Sequence, residues 1–490
     1  MHDLAVAAVQ ELSKSMTPKR RTSKGKQTPL KRRRQKRMHQ RRALQQSMPV
    51  REANAAGIDV GAREMYVAIA PDRDSEPVRV FPTFTCDLEA LADWLVERGI
   101  TTAAMESTGV YWIPLYQILE DRGIRVCLVN ARHMKNVPGR RTDWQECQWL
   151  QYLHAVGLLR AAFRPEPEVV AIRSVVRHRR RLVEAAGVHI RHVHKALTQM
   201  NLQIHHVIND ITGVTGTAII ESILAGQRDA TELAKLRRPE IRADEETMRK
   251  SLEGDWRREH LFALRQSWEL YGTYVRSIEA CDQEICAMLS EREPKVDPEK
   301  KPMPSDTKRR TKRKHQRTGD FRFDVRTEAY KQFGVDVTRI PGLEGIALVL
   351  YSEVGNDMSR WSSASQFASW TALCPDNDKS GGRVLWTGVR QVKNRAGQLF
   401  RQAANSLHHS KTHMGEYLRR MKAKLGAEAG ITAAAHKIAR IFYGVVKSQV
   451  EYDQTTWHLQ ELERQRRFEA KIRRQARGLG FQLVPIQPVP

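Results

Sequence analysis

Apolar and polar residues along this 490-residue chain change their spacing twice, and each regime predicts a different architecture. From 54 to about 165, short apolar runs alternate with helical stretches. The runs 55–60, 65–69 and 78–84 read as strands joined by short turns, the first two as a hairpin. The segment 87–98 then reads as an amphipathic helix with Asp87 as its N-cap, and 101–105 as a strand that delivers Glu106 at its end. A helix at 115–122, a strand at 126–129 and a helix at 143–156 complete this part. From 166 to 294 apolar residues recur three or four apart, predicting long helices with Arg177, Arg179, Arg180, Arg181, Arg191 and Lys195 on the other faces.

The third regime, 320–465, reads as a compact, mostly helical region. In it Pro341, Gly342 and Gly345 form a tight turn before an apolar helix, resembling the hairpin between two short helices that offers backbone amides to DNA phosphates. A loop with Ser380, Gly381 and Gly382 then precedes a helix carrying Lys393, Arg395 and Arg401. The segments 1–53, 295–319 and 466–490 read as a basic disordered tail, a basic linker and a frayed tail. The fold class is thus α/β followed by α, and a three-strand meander leading into alternating α/β is the order of an RNase H-like fold.

Charge adds a partner to this outline. The formal charge is +26, with a pI near 10.0. Residues 1–50 hold 14 Lys and Arg against two acids, and residues 295–317 hold ten against three, so these two segments carry most of the excess. Basic runs of this kind serve as solubilising tails or as contacts to a polyphosphate, and beside a phosphoryl-transfer site the second role is favoured. The six cysteines form no CxxC pair and no zinc spacing, so they read as reduced thiols of a cytoplasmic, nucleoid-associated protein. No apolar run reaches membrane-spanning length.

The chemistry lies in the first regime. Asp59 stands in GIDVG between apolar neighbours, where a buried strand carboxylate needs a positive charge against it. Glu106 follows in MESTG, and Asp143 and Glu146, three apart, share one face of a helix. Each acid alone has an ordinary competing role: a turn or cap at 59, a strand-end cap at 106, helix-dipole acids at 143 and 146. In this order, strand Asp, strand-end Glu, helix acids, they make a site for divalent metal ions that act on phosphodiesters. A sugar-kinase or actin-like ATPase also opens with a strand aspartate and a glycine turn, but this chain lacks the second glycine-rich phosphate loop. His189, His192, His194, His205 and His206 have no acidic or cysteine partners at helical spacing and read as part of a basic, RNA-facing surface. Ser380, with Lys379 beside it and an Arg/Lys-rich helix behind, is a second chemical candidate, against the ordinary use of Ser-Gly-Gly in turns.

Taken together, GIDVG, MESTGVYW, VNARHMKNVPGRRTD, IPGLEGIALVLYSEVG and KSGGRV with KNRAGQLFRQAA resemble the DEDD-class transposases of insertion sequence family 110, the bridge-RNA-guided recombinases. The resemblance covers about 55 to 450 in the right order. It implies a RuvC-like N-terminal domain, a helical coiled-coil linker domain and a C-terminal transposase domain with a catalytic serine. Asp59, Glu106 and Asp143 match the first three acidic positions, which bind Mg²⁺ or Mn²⁺. The fourth is aspartate in the family's T-D-x-x-D, whereas this chain reads T-D-W-Q-E, placing Glu146 there. Ser380 matches the nucleophile that forms a covalent phosphoserine with DNA. A noncoding bridge RNA, donor and target DNA, and a homo-oligomer, dimeric or tetrameric at synapsis, are the implied partners. Arg177, Arg179, Arg180, Arg181, Arg191, Lys195, Lys393, Arg395 and Arg401 are the candidates for nucleic-acid contact. The alternatives are a metal-dependent junction nuclease without a covalent intermediate, and a nucleic-acid-binding protein without chemistry.

Overall fold

Short apolar runs build a five-stranded sheet in the first of two units, Met1–Arg164 and Pro165–Pro490. The computed structural model describes residues 48–107, 109–129, 142–305, 317–390 and 394–482. The elements of the first unit are β1 (Ala55–Val60), β2 (Glu64–Ala68), β3 (Val78–Pro82), α1 (Thr85–Glu97), β4 (Thr102–Glu106), α2 (Trp112–Asp121), β5 (Arg125–Val129) and α3 (Asp143–Ala155). The sheet order is β3-β2-β1-β4-β5. Strands β1, β2 and β3 form the antiparallel meander, and β4 and β5 join parallel to β1. This mixed sheet is the one expected of an RNase H-like domain.

Each face of the sheet is covered by different helices. Ile58, Val60, Met65, Val67 and Met105 point to one side, where they pack with Leu88, Leu91 and Leu95 of α1 and Leu115 and Leu119 of α2. Ala68, Ala104 and Val129 point to the other side, where Cys147 and Leu150 of α3 cover them. One detail differs from the sequence expectation. Helix α1 starts at Thr85 with Phe84 as its N-cap, so Asp87 sits in the first turn, where it favours the helix dipole rather than capping the backbone.

In the second unit α4 (Pro167–Gln199) and α8 (Arg258–Ser290), 33 residues each, lie antiparallel, with Pro167 preset for the first turn of α4. The segments α5 (Val214–Leu224), α6 (Ala230–Ala234) and α7 (Glu245–Ser251) close the end of this pair around Val193, Leu197, Ile220, Ile223, Met248 and Leu264. The rest comprises α9 (Val325–Phe333), α10 (Ala347–Val354), α11 (Ala364–Trp370), the hairpin β6 (Asp378–Ser380) and β7 (Arg383–Trp386), then α12 (Arg395–Ser406), α13 (His413–Leu425), α14 (Ala427–Ser448) and α15 (Gln454–Gly478). Its centre is an aromatic cluster in which Phe442 of α14 meets Phe333, Phe367 and Phe400 at 5.4–6.0 Å between ring centroids.

Two local expectations change here, and a third position shows a packing role. Ser380 stands on a β-hairpin, not in an open loop. The turn at Gly342 (φ 90°) also packs closely, since a Cβ there would fall 2.6 Å from the Ala403 carbonyl oxygen of α12. The chain beyond 466 continues as α15 as far as Gly478 rather than fraying, because its charged residues carry good helix propensity and i,i+4 pairs such as Glu469–Arg473.

Candidate active site

Ile58 of β1 pairs in register with Met105 of β4, so the next residues, Asp59 and Glu106, come side by side at the carboxyl ends of two parallel strands. That edge is where open α/β sheets bind their ligands. Gly57 determines what comes over them. A Cβ at 57 would lie 2.1 Å from the Gln151 backbone nitrogen and 2.4 Å from the Cys147 carbonyl oxygen, so only glycine lets α3 seat this closely. Side chains two apart on a strand share a face, so Asp59 points toward the same helix. The turn of α3 just before Cys147 carries Glu146 and brings it to the pair. Asp59, Glu106 and Glu146 each offer a carboxylate oxygen, and these oxygens lie within 4.8 Å of one another. Among the described residues no other group of His, Cys, Asp or Glu converges in this way.

Asp143, one helical turn earlier and exposed, stands outside that group of three but adds its negative charge to it. The consequence appears at Asp59. Burial first, then the charges of Glu146, Asp143 and Glu106, push its carboxyl from 3.8 up to about 7, opposed only by the Val60 amide. A hard, oxygen-only donor set whose members repel each other is relieved by a divalent cation, and the residues present fit one. The acidic triad therefore suggests divalent-metal dependence.

Below the acids, α3 is tied to the sheet by polar contacts that sequence reasoning did not single out. Gln151 donates to the Ala55 carbonyl at 3.3 Å, and the Thr102 hydroxyl meets His154 Nε2 at 2.9 Å while donating to the Arg125 carbonyl. Burial lowers the pKa of His154. Cys147 is buried against the sheet, which pushes its thiol up to about 12. Tyr66, the cross-strand partner of Asp59, also stands on this face and donates its phenol to Glu64 at 3.0 Å. The hairpin pairing of 55–60 with 65–69, carried one step further into register, would have found it.

The second chemical candidate is displayed rather than enclosed. Ser380 is exposed at the end of β6, opposite Arg383, and Gly381 (φ 54°) and Gly382 (φ 77°) make the two-residue turn between the strands. Two consecutive residues in the left-handed region are what a tight hairpin turn demands, and glycine adopts it without strain.

The basic candidates separate into free and engaged residues. Arg181, Arg191 and Lys195 are exposed on α4, and Arg180 is exposed beside Glu184. Arg179 corrects the expectation of an outward basic face. It is buried, with Nε 2.5 Å from Asp282 of α8, donates to the Gly319 and Asp320 carbonyls, and stacks 4.0 Å from the centre of the Phe321 ring. Arg177 grips Glu353 of α10 with two hydrogen bonds of 2.9 and 2.6 Å. Arg401 is half-buried and donates to the Ala372 carbonyl at 2.9 Å, so it anchors α12 instead of facing outward. Arg395 is exposed at the start of α12; partial desolvation first, then the nearby Arg177, Arg180 and Arg181, against the charge of Glu353, hold its pKa below the usual guanidinium value. Lys393 lies outside the described residues, as do 1–47 and 306–316, which hold most of the two basic runs. Of the histidines read as a basic surface, His189 stacks on Tyr274 at 5.3 Å between the long helices.

Two family models match the chain. The model of the IS110 DEDD transposases matches residues 56–202, a stretch that contains all four acids. A second, the transposase IS116/IS110/IS902 family, matches residues 336–419, a stretch that contains Ser380. Together they support an IS110-family transposase. None of the curated proteins matches the chain. Matches to transposase families imply DNA as the substrate, and the mixed sheet with the acid cluster agrees with a DEDD-type site. Among the described residues no helix is long and apolar enough to cross a membrane.

Proposed function

We propose that this transposase is an RNA-guided recombinase that cuts and rejoins DNA between a mobile element and its target through a serine nucleophile. The observation that carries the reading is the convergence of Asp59, Glu106 and Glu146 within 4.8 Å, in a chain whose second transposase match contains an exposed serine paired with an arginine across a glycine turn. In this mechanism Asp59, Glu106 and Glu146, with Asp143 completing the set, hold a divalent ion, Mg²⁺ or Mn²⁺. When bound, that ion neutralises charge on the phosphate and on the leaving oxygen. The Ser380 hydroxyl gives up its proton and attacks a DNA phosphorus, an Oγ–P bond forms as the P–O bond to one sugar breaks, and the departing sugar oxygen takes a proton. Attack by the hydroxyl of an exchanged strand on the phosphoserine restores a phosphodiester and frees Ser380.

Base pairing with a noncoding bridge RNA selects the donor and target sequences, and the protein supplies backbone contacts. Exposed Arg180, Arg181, Arg191, Lys195 and Arg395, with Lys393 and the basic segments 1–53 and 295–319, serve as those contacts. The long α4–α8 pair acts as a coiled-coil linker within a homo-oligomer.

The test is to incubate the protein with the element's flanking noncoding RNA, Mg²⁺ and labelled junction DNA, denature, and look for labelled protein. A covalent species that disappears in Ser380→Ala and on chelation of the metal supports the reading. DNA cut without an adduct, equally in Ser380→Ala, overturns it in favour of a metal-only nuclease.

A further inference from the structure

Three consecutive apolar residues of β7 face solvent: Val384 is 52% exposed, Leu385 69% and Trp386 42%. A two-stranded hairpin normally turns one face to a core, and here all four residues of β7 are exposed. The register pairs Arg383 with Ser380, Val384 with Lys379 and Trp386 with Asp378, with Leu385 as the extra residue of a bulge, so Trp386 comes to the side of the Ser380–Arg383 pair and Val384 to the opposite side. Apolar groups thus cover both sides of a narrow blade whose tip carries the candidate nucleophile.

The blade is built, not loose. At its base Pro375 bridges Val389, the Asp376 amide donates to the Gly388 carbonyl at 2.8 Å, and Arg390 donates to the carbonyl and hydroxyl oxygens of Ser369 in α11. Gly388 seats the indole: a Cβ there would fall 2.4 Å from the Trp386 ring, so the ring rests on bare backbone and keeps its exposed surface available. Charge selects the occupant. The stretch 376–395 holds Lys379, Arg383, Arg390, Lys393 and Arg395 against Asp376 and Asp378, which attracts a polyanion and repels a second copy of the same hairpin.

We infer that the β6–β7 hairpin is a nucleobase wedge, in which Trp386 and Leu385 enter the base stack of a DNA strand beside the phosphate that Ser380 attacks, with Arg383 against the backbone. Apolar wedges open base steps in this way, and an indole face accepts any base. Opening the stack at that point frees the backbone to swing the scissile phosphate onto a serine that directly precedes the turn. The inference rests on the role proposed for Ser380.

The experiment places 5-iodouracil singly at each position around the cleaved phosphate of the junction DNA, in complex with the full chain and its flanking RNA, and maps light-induced crosslinks by mass spectrometry. Ser380→Ala holds the complex uncut. The expected crosslink joins the nucleotide flanking the scissile phosphate to the peptide containing Trp386. Trp386→Ala removes it and weakens binding to single-stranded DNA by about tenfold, Leu385→Ala weakens binding on its own, and Trp386→Phe retains most of it. Melting of these variants stays at the parent value, since the residues are exposed. Crosslinks that map elsewhere, or unchanged binding in Trp386→Ala, overturn the wedge. So does a change in sedimentation of the DNA-free protein in Trp386→Ala, which makes a second copy the occupant. If the parent forms the Ser380 adduct while the wedge tests fail, only the wedge falls; if the parent forms no adduct, the catalytic reading falls and the wedge with it.

Discussion

Gly57 and Gln151 touch through their backbones, the glycine leaving room for a helix whose nitrogen stands 2.1 Å from where a Cβ would be. The contact lies two residues from Asp59 on the same strand face, so the seat of α3 and the closing of the acid cluster are one event.

Substitution of Gly57 by Ala therefore forces α3 off the sheet. The expected cost is that of overpacking a core, about 1–3 kcal/mol, together with loss of divalent-ion binding and of DNA cleavage. Gly444→Ala is the contrasting case. Its site is exposed in α14 with nothing within 4 Å of the added carbon, and the change stabilises by up to about 1 kcal/mol through helix propensity. Thermal melts of the two variants, with Mn²⁺ titration of the first, check both signs.

Asp59 makes the metal-free protein sensitive to pH. Its carboxyl is raised from 3.8 to about 7, so between those values the folded chain holds a proton that the unfolded chain has released. Stability contributed by this group falls as pH rises through that window and is fully lost above about 7. Discounted for the solvent that reaches this half-buried group, the effect is about 1–2 kcal/mol. In EDTA, Asp59→Asn is expected to melt higher than the parent at pH 8 and to lose that advantage at pH 4. Added Mg²⁺ is expected to raise the parent and not the variant. A parent that melts alike at both values relative to the variant refutes the electrostatic account.

Arg179 and Arg181 are two residues apart and are expected to behave oppositely. Arg179→Ala leaves Asp282 buried without its partner, a loss of about 3–5 kcal/mol, visible as lowered melting before any DNA is added. Arg181→Ala leaves melting unchanged and weakens nucleic-acid binding uniformly across sequences, lowering the slope of log affinity against log salt by about one. A salt titration beside a melting curve separates the two.

Chelation supplies a further check. Removal of divalent ions with EDTA is expected to abolish DNA cleavage while the chain retains binding to DNA through its basic residues, measured by gel shift at low salt. Loss of binding together with cleavage argues that the acids hold the fold instead of serving the chemistry.

Much of this was legible in the linear pattern. The strands 55–60, 65–69 and 101–105 and the helix 143–156 were readable because one sheet face is buried under α1 and α2 and the other under α3, which makes the central strands short, nearly continuous apolar runs. The order of the acids, strand, strand end, helix, was readable for the same reason. Convergence was a different matter. That Glu146 joins Asp59 and Glu106 while Asp143 stays outside the group of three depends on where α3 sits, and that is decided by the absence of a side chain at Gly57.

Sequence by itself determined which residues could ionise and which segments could bury an apolar face, because these are properties of short windows. Tertiary structure alone decided that Arg179 is a buried partner of Asp282 while Arg181 is free, and that Ser380 rides a hairpin with apolar residues on both sides. Helical spacing marks a face as polar without saying whether another helix will bring a carboxylate to it. The physical reason is that burial, and with it the energy of a charge, is set by neighbours that lie a hundred residues away in the chain.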